Sequence, residues 1–197
     1  MDSTKKTRQT SNAIFMTVLV AMFAAIGAVT SWISIPTPFG VPITLQTFGM
    51  ALIGYTLGYK YGTLSVAVYI VLGAVGVPVF SSFKAGFGVI IGITGGFIVG
   101  FLLMAPLCGL NHIKPIKNAN PAVKAVLSIV FGIVGLLLCY LFGVAQMSLI
   151  SGNSFWASAI QIITTCIVKD VISVVVAYFV SLAAISLIKK ISKRDVL

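Results

Sequence analysis

Acidic side chains are nearly missing from this chain: 197 residues hold three of them, against 13 lysines and arginines and one histidine. Charged residues of both signs reach only 8%, whereas a soluble domain covers itself with roughly 25%. That shortage excludes a water-exposed globular fold, and 59% hydrophobic residues place the chain in a bilayer. Other absences narrow the function. No glycine loop followed by Lys-Ser/Thr is present to cradle phosphates, so the chain does not itself handle ATP. No second acid, His-Glu pair or Gly-x-Ser-x-Gly turn accompanies the lone His112, which leaves an intramembrane hydrolase without a base or a metal. His112, beside Lys114 and Lys117, is expected to face lipid headgroups. The three cysteines, Cys108, Cys139 and Cys166, have neither metal-ligand nor redox spacing and read as packing thiols. No catalytic residue, metal or cofactor is assigned.

What is present are long uncharged runs: 9–59, 61–83, 85–113, 125–168 and 171–188. One crossing needs ~20 apolar residues, and the first and fourth runs are long enough for two crossings each. Proline and glycine breaks at 34–42 and 151–153 supply turns. The reading is an all-α integral membrane bundle of six transmembrane helices forming one domain over 1–197, at roughly 13–33, 43–58, 61–77, 92–111, 122–145 and 157–188. With both termini cytoplasmic, Lys5, Lys6, Arg8, Lys60, Lys114, Lys117, Lys124, Lys189, Lys190, Lys193 and Arg194 fall inside, and Lys84 alone lies outside. The net charge of +10 is then explained by membrane lipid of the inner leaflet and calls for no nucleic-acid partner. The stretch 14–33 is longer than a cleaved signal core and is expected to remain as a span.

Asp170 is the only acid between Asp2 and Asp195. A carboxylate within a bilayer-length segment costs several kcal/mol without partners, so it marks a polar site inside the bundle. It shares a helix face with Cys166, Ser173 and Ala177, a small and mildly polar stripe suited to a cavity wall. Lys169 points about 100° away and is expected to find a separate partner. A structural alternative pairs Asp170 with Lys84 or Lys60 and leaves a dry bundle without a cavity. Irregular glycine-rich backbone over 76–100 should be buried in protein or line a cavity. Lys84, among Phe80, Phe83 and Phe87, either snorkels to the surface or awaits an anionic group. Glycines recur every fourth residue at Gly54, Gly58 and Gly62 and at Gly88, Gly92, Gly96 and Gly100, which predicts flat strips for helix packing. Ala21, Ala24, Ala25 and Ala28 form a similar strip, for the bundle or for a partner subunit.

Four segments carry a resemblance: Val41-Pro42-Ile43-Thr44-Leu45-Gln46-Thr47, Leu57-Gly58-Tyr59-Lys60-Tyr61-Gly62, Gly76-Val77-Pro78-Val79-Phe80 and Gly92-Ile93-Thr94-Gly95-Gly96-Phe97. Over almost the whole chain the sequence resembles the biotin-specific S component of energy-coupling-factor (ECF) transporters, the BioY family. The resemblance implies six helices, capture of biotin from outside, and delivery through a transmembrane coupling subunit and two ATPase subunits. It implies that Asp170 accepts hydrogen bonds from the ureido ring, that the loop residue Lys84 meets the ligand, that 34–42 covers it, and that the alanine strip docks the coupling subunit.

The chain departs from the family pattern in three places. Ser173 stands where the family's Asp-x-x-Lys motif has its lysine, Ile93 and Phe97 replace a proline and a tyrosine, and Ser81, Ser82 and Phe83 replace loop glycines. The ureido ring needs an acceptor for N–H and donors for C=O, and the carboxylate needs a cation. Asp170 and Gln46 serve the ring in this reading, while Lys84, or Lys169, replaces the missing lysine; Phe83 and Ser173 complete the expected substrate-binding set. The departures also keep open a carrier for another carboxylated molecule, such as dethiobiotin or a lipoate-like acid.

Overall fold

The computed structural model describes residues 2–38 and 40–192, with side chains from Asn12 onward. Lys193 and Arg194, counted above on the inner side, lie outside the described residues. In chain order the elements are α1 (Asp2–Trp32), β1 (Ser34–Ile35), β2 (Ile43–Thr44), α2 (Gln46–Ala74), α3 (Phe87–Ile90), α4 (Gly95–Cys108), α5 (Lys114–Lys117), α6 (Pro121–Ser151) and α7 (Phe155–Ser192). Short 3-10 turns cover Ser81–Phe83 and Gly109–His112. Among the described residues, five helical stretches are long and apolar enough to cross a membrane: 12–32, 46–74, 95–112, 121–151 and 155–192.

The second of these is a hairpin. Gly58 has φ 75° and ψ 176°, a conformation open to glycine and costly for residues with a Cβ. A Cβ on Gly62 would lie 3.0 Å from Gly54 Cα, although residues eight apart in a straight helix are separated by ~12 Å. Gln46 Nε2 likewise donates to Tyr69 Oη at 2.8 Å. The limbs 46–57 and 59–74 therefore run back along each other, so the described residues form six long helical segments in the bundle. Gly58 is the turn of this hairpin, so Gly54, Gly58 and Gly62 do not make the strip on one helix face that their spacing predicts. The second series divides as well. Gly88 and Gly92 precede α4, whereas Gly96 and Gly100 lie on it against α6, with a Cβ on Gly100 reaching within 2.6 Å of Cys139 Cα.

Helix ends follow local chemistry. Asn120 caps α6 by accepting from Ala122 N at 3.1 Å, Pro121 occupies the first turn, and Gly152 closes the helix in a left-handed conformation. α7 runs for 38 residues, ~57 Å at 1.5 Å per residue, so its ends extend beyond the hydrocarbon. Between α1 and α2 the chain forms a small antiparallel ladder pairing Ser34 with Thr44 and Ile35 with Ile43.

One end of the bundle collects the cations. His112 binds the Tyr55 carbonyl oxygen at 2.8 Å and packs against Gly58, and it shares a recess with Lys117, Lys124 and Lys189. The partly buried imidazole is thus tethered to the chain's own backbone at the cationic end. At the other end, Trp32 Nε1 donates to the Pro78 carbonyl at 2.8 Å and the loop carrying Lys84 folds over the helices.

Candidate functional site: an outward cavity on Asp170

The loop between α2 and α4 is irregular, yet its backbone is satisfied internally. Gly86 N donates to the Gly73 carbonyl at 2.7 Å, and the Gln146 amide on α6 donates to the carbonyls of Ile90 and Gly92, each at 2.8 Å. Such backbone is tolerated at membrane depth only beside protein or a cavity, and here it borders a cavity. The space measures about 720 Å³ including its open mouth. Its walls come from the loop before α2 (Val41, Pro42, Thr44), the α3 loop (Ser81, Lys84), α4 (Phe97, Phe101), α6 (Cys139, Tyr140) and α7 (Cys166, Lys169, Asp170). The structural alternative required a dry bundle, and this cavity removes its main prediction.

Asp170 is 4% exposed and stands at the wall with two partners. Tyr140 Oη donates to its Oδ2 at 2.6 Å, and Lys169 Nζ pairs with its Oδ1. The pairing with Lys169 corrects the expectation that the two neighbours seek separate partners. Their Cα–Cβ vectors do diverge, but the four-carbon lysine stem curls back to the carboxylate. The same ammonium donates to the Thr44 carbonyl at 2.6 Å, tying the loop before α2 to α7. A carboxylate offers about four acceptor positions; two are used here, which leaves capacity for N–H donors of a guest. The lysine side chain keeps 30% of its surface exposed, so the pair is not sealed.

Of the other expected site residues, Gln46 lines the cavity with its amide held by Tyr69, and Lys84 lines the mouth on an exposed loop. Phe83 does not line it. Its ring is 61% exposed and stacks on Trp32 at 5.0 Å between centroids, because Ser82 and Phe83 adopt φ of 57° and 58° and turn it outward. Ser173 is buried but lies outside the cavity lining, one turn beyond Lys169 on α7. Cys166 borders the cavity, as its place on the Asp170 stripe suggests, and so does Cys139, expected only as a packing thiol; all three cysteines are buried and unpaired. Within the alanine strip, Ala24 and Ala28 are buried in the bundle while Ala21 and Ala25 are exposed.

Sequence reasoning missed Tyr140, Thr47, Thr94 and the Thr44 carbonyl. A tyrosine on a highly apolar helix carries a hydroxyl that needs a partner when buried, and that was the available signal for Tyr140.

The class this defines is a helical membrane bundle with most of its cations at one end and, toward the other, a cavity that offers both a partly satisfied carboxylate and apolar surface. Residues 3–190 match the model of the BioY family, and the chain belongs to that family. It is 36% identical over 161 residues to "Probable biotin transporter BioY" of Pyrococcus horikoshii, covering 81% of this chain and 91% of that one. It is 31% identical over 184 residues to "Biotin transporter BioY2" of Lactococcus lactis, covering 92% and 94%. "Biotin transporter BioY" of Thermotoga maritima is 50% identical over 93 residues, 47% of this chain and 54% of that one. Among solved structures, the S-component for biotin from an ECF-type ABC transporter superposes with a TM-score of 0.75 at 24% identity, covering 93% of this chain and 94% of that one. That likeness establishes the shared fold.

Proposed function

We propose that the protein is the biotin-binding membrane subunit of an ECF transport complex, taking biotin from outside and delivering it with the help of a transmembrane coupling subunit and two ATPase subunits. One observation carries this reading: a buried carboxylate, held by Tyr140 and Lys169 and with acceptor capacity to spare, on the wall of a cavity of about 720 Å³. Asp170 accepts the ureido N–H groups of biotin, and Tyr140 and Lys169 fix the orientation of the carboxylate. Gln46 faces the same ring. Phe97 and Phe101 supply apolar wall for the thioether ring and the valerate chain. Lys169 is engaged with Asp170 and Thr44, so Lys84 at the mouth is the cation for the carboxylate of biotin. A flexible ammonium serves there because it acts as a point charge. The exposed Ala21 and Ala25 are the part of the alanine strip available to the coupling subunit.

Titration of labelled biotin against the purified Asp170→Ala protein tests the assignment. Loss of hydrogen bonds to a charged acceptor, each about 1.5–3 kcal/mol, predicts a fall in affinity on the order of 100-fold while the bundle stays folded. Unchanged affinity refutes the reading. Ser173 in place of a helical lysine favours a second reading, in which another carboxylated molecule is bound. Dethiobiotin keeps the ureido group and a lipoate-like acid does not, so competition with both separates these ligands. Displacement by the lipoate-like acid at biotin-like concentrations would overturn the role given to Asp170.

A further inference from the structure

Lys169 Nζ has two acceptors, the Asp170 carboxylate and the Thr44 carbonyl oxygen, and both of those residues line the outer cavity, as does Lys169 itself. An ammonium carries three donors. One N–H of Lys169 is therefore left without an acceptor among the described residues, on a side chain that keeps 30% of its surface exposed. The other partner of the carboxylate is Tyr140, whose single O–H is spent on Asp170 Oδ2. Of the two side chains bonded to Asp170, Lys169 alone keeps a proton to give elsewhere. Gln46, Thr47 and Thr94 also line the cavity, but none of them is bonded to Asp170, so none is held beside the acceptor. A spare acceptor and a spare donor thus stand next to each other on the cavity wall, fixed by the ion pair and by the tie to Thr44. The solute group that meets both at once has an N–H next to a C=O and no charge on either. Charge sharpens the choice, because an ammonium favours a carbonyl oxygen and disfavours a second cation in its place.

We propose that Lys169 is a specificity-determining residue: its third N–H donates to the carbonyl oxygen of the ring whose N–H Asp170 accepts, so that the pair selects a neutral cyclic urea and rejects the cationic guanidine of the same shape. This rests on the reading that Asp170 receives the ureido ring of biotin, and it gives Lys169 a contact with the ligand in addition to its hold on the carboxylate. The guanidine analogue, 2-iminobiotin, replaces the carbonyl oxygen by a nitrogen that is protonated at neutral pH. It keeps the N–H groups for Asp170 but offers Lys169 a cationic N–H where the urea offers a lone pair. With Lys169 neutralised, the same cation would face the Asp170 carboxylate alone and be favoured.

Competition of biotin and of 2-iminobiotin against labelled biotin at pH 7, on the purified full chain, tests it. The wild type should prefer biotin by on the order of 100-fold, and Lys169→Met should narrow that preference to less than about tenfold. Should Lys169→Met fail to fold, judged by loss of its thermal transition, Lys169→Gln, which also removes the charge but keeps a polar end, carries the test with the same narrowing. Weakening of both ligands in equal proportion means that Lys169 only positions Asp170, and it overturns the inference. So does a wild type that binds 2-iminobiotin as tightly as biotin, a measurement that needs no variant. The reading on which this rests fails separately, by unchanged biotin affinity in Asp170→Ala, whatever the ratio between the two ligands.

Discussion

The outer and inner ends of this bundle are built from the same apolar helices but are held together in different ways. At the outer end the backbone leaves the helices, in the ladder before α2 and in the loop around α3, and polar side chains close the gaps: Gln146 on two carbonyls, Lys169 on Thr44 and Asp170, Tyr140 on Asp170. At the inner end, helices and turns meet backbone to backbone through glycine, with Gly54 against Ala105 and Gly109 against Tyr59. Lipid offers little hydrophobic drive to bring helices together, so close packing of small residues does that at the inner end. At the outer end one such contact remains, with Gly96 against the Phe142 carbonyl, but beside it the chain leaves a space whose carboxylate has acceptor capacity to spare. The comparison teaches that the inner end should resist added volume, and the outer end should resist altered polarity.

The largest effect is expected from Gly54→Ala. Its Cβ would stand 2.5 Å from the Ala105 carbonyl oxygen and 2.7 Å from Cys108 Cβ, and backbone cannot yield as a side-chain tip can. Overpacking of this kind costs about 3 kcal/mol, which lowers the melting temperature by on the order of 10 °C. Thermal unfolding followed by loss of monodisperse protein measures it. An unchanged melting temperature would break the comparison at its inner end.

Next comes Lys169→Met, which leaves Asp170 without its cation. Breaking a fully buried pair costs 3–5 kcal/mol, but this lysine side chain is 30% exposed, so about 1–2 kcal/mol is expected. Biotin affinity should fall by about thirtyfold, because both the carboxylate orientation and the tie to Thr44 are lost. Tyr140→Phe removes a single donor to the same carboxylate and should weaken binding by about tenfold with little change in stability. If either substitution alters melting as strongly as Gly54→Ala while leaving biotin binding intact, the polar outer network is scaffold and not site.

The helices were readable because each crossing must be apolar for about 20 residues, a demand that survives any detail of packing. The turn at Gly58 was readable as a junction between two segments, but not as the point where Gly54 and Gly62 face each other. Spacing of four residues says nothing about whether a helix continues through it. Asp170 was legible since a lone acid in an apolar run has few other reasons to exist. Its partners were not. Lys169 was set aside on the direction of its Cβ, although the length of its stem decides its reach, and Tyr140 is one of six tyrosines in a chain full of aromatics. Phe83 failed because its placement depends on two left-handed residues, Ser82 and Phe83, and neither residue type announces that conformation.

Smaller effects separate the two lysines. Lys84 stands on an exposed loop at the mouth, so Lys84→Gln should weaken biotin by only about threefold, and less at high salt. It should leave binding of biotin amide unchanged, because that ligand has no carboxylate to lose. Lys169→Met should weaken both ligands in equal proportion. Equal loss of biotin and biotin amide in Lys84→Gln, with discrimination lost in Lys169→Met, would reverse the assignment of the carboxylate.

The smallest expected effect is Gly88→Ala, and it sharpens the comparison most economically. Gly88 belongs to the same kind of fourth-residue series as Gly54, so sequence spacing gives the two equal weight. In the structure, an added Cβ at Gly88 meets nothing within 4 Å, and its backbone is ordinary helix in α3 at the outer end. Alanine is favoured over glycine in helix by up to about 1 kcal/mol, and a four-residue helix realises only part of that. The melting temperature should therefore hold or rise slightly, and biotin affinity should stay within about twofold, in contrast to Gly54→Ala. A loss of stability like that at Gly54 would mean that the outer loop is packed as closely as the inner helices, and the contrast between the two ends would fail.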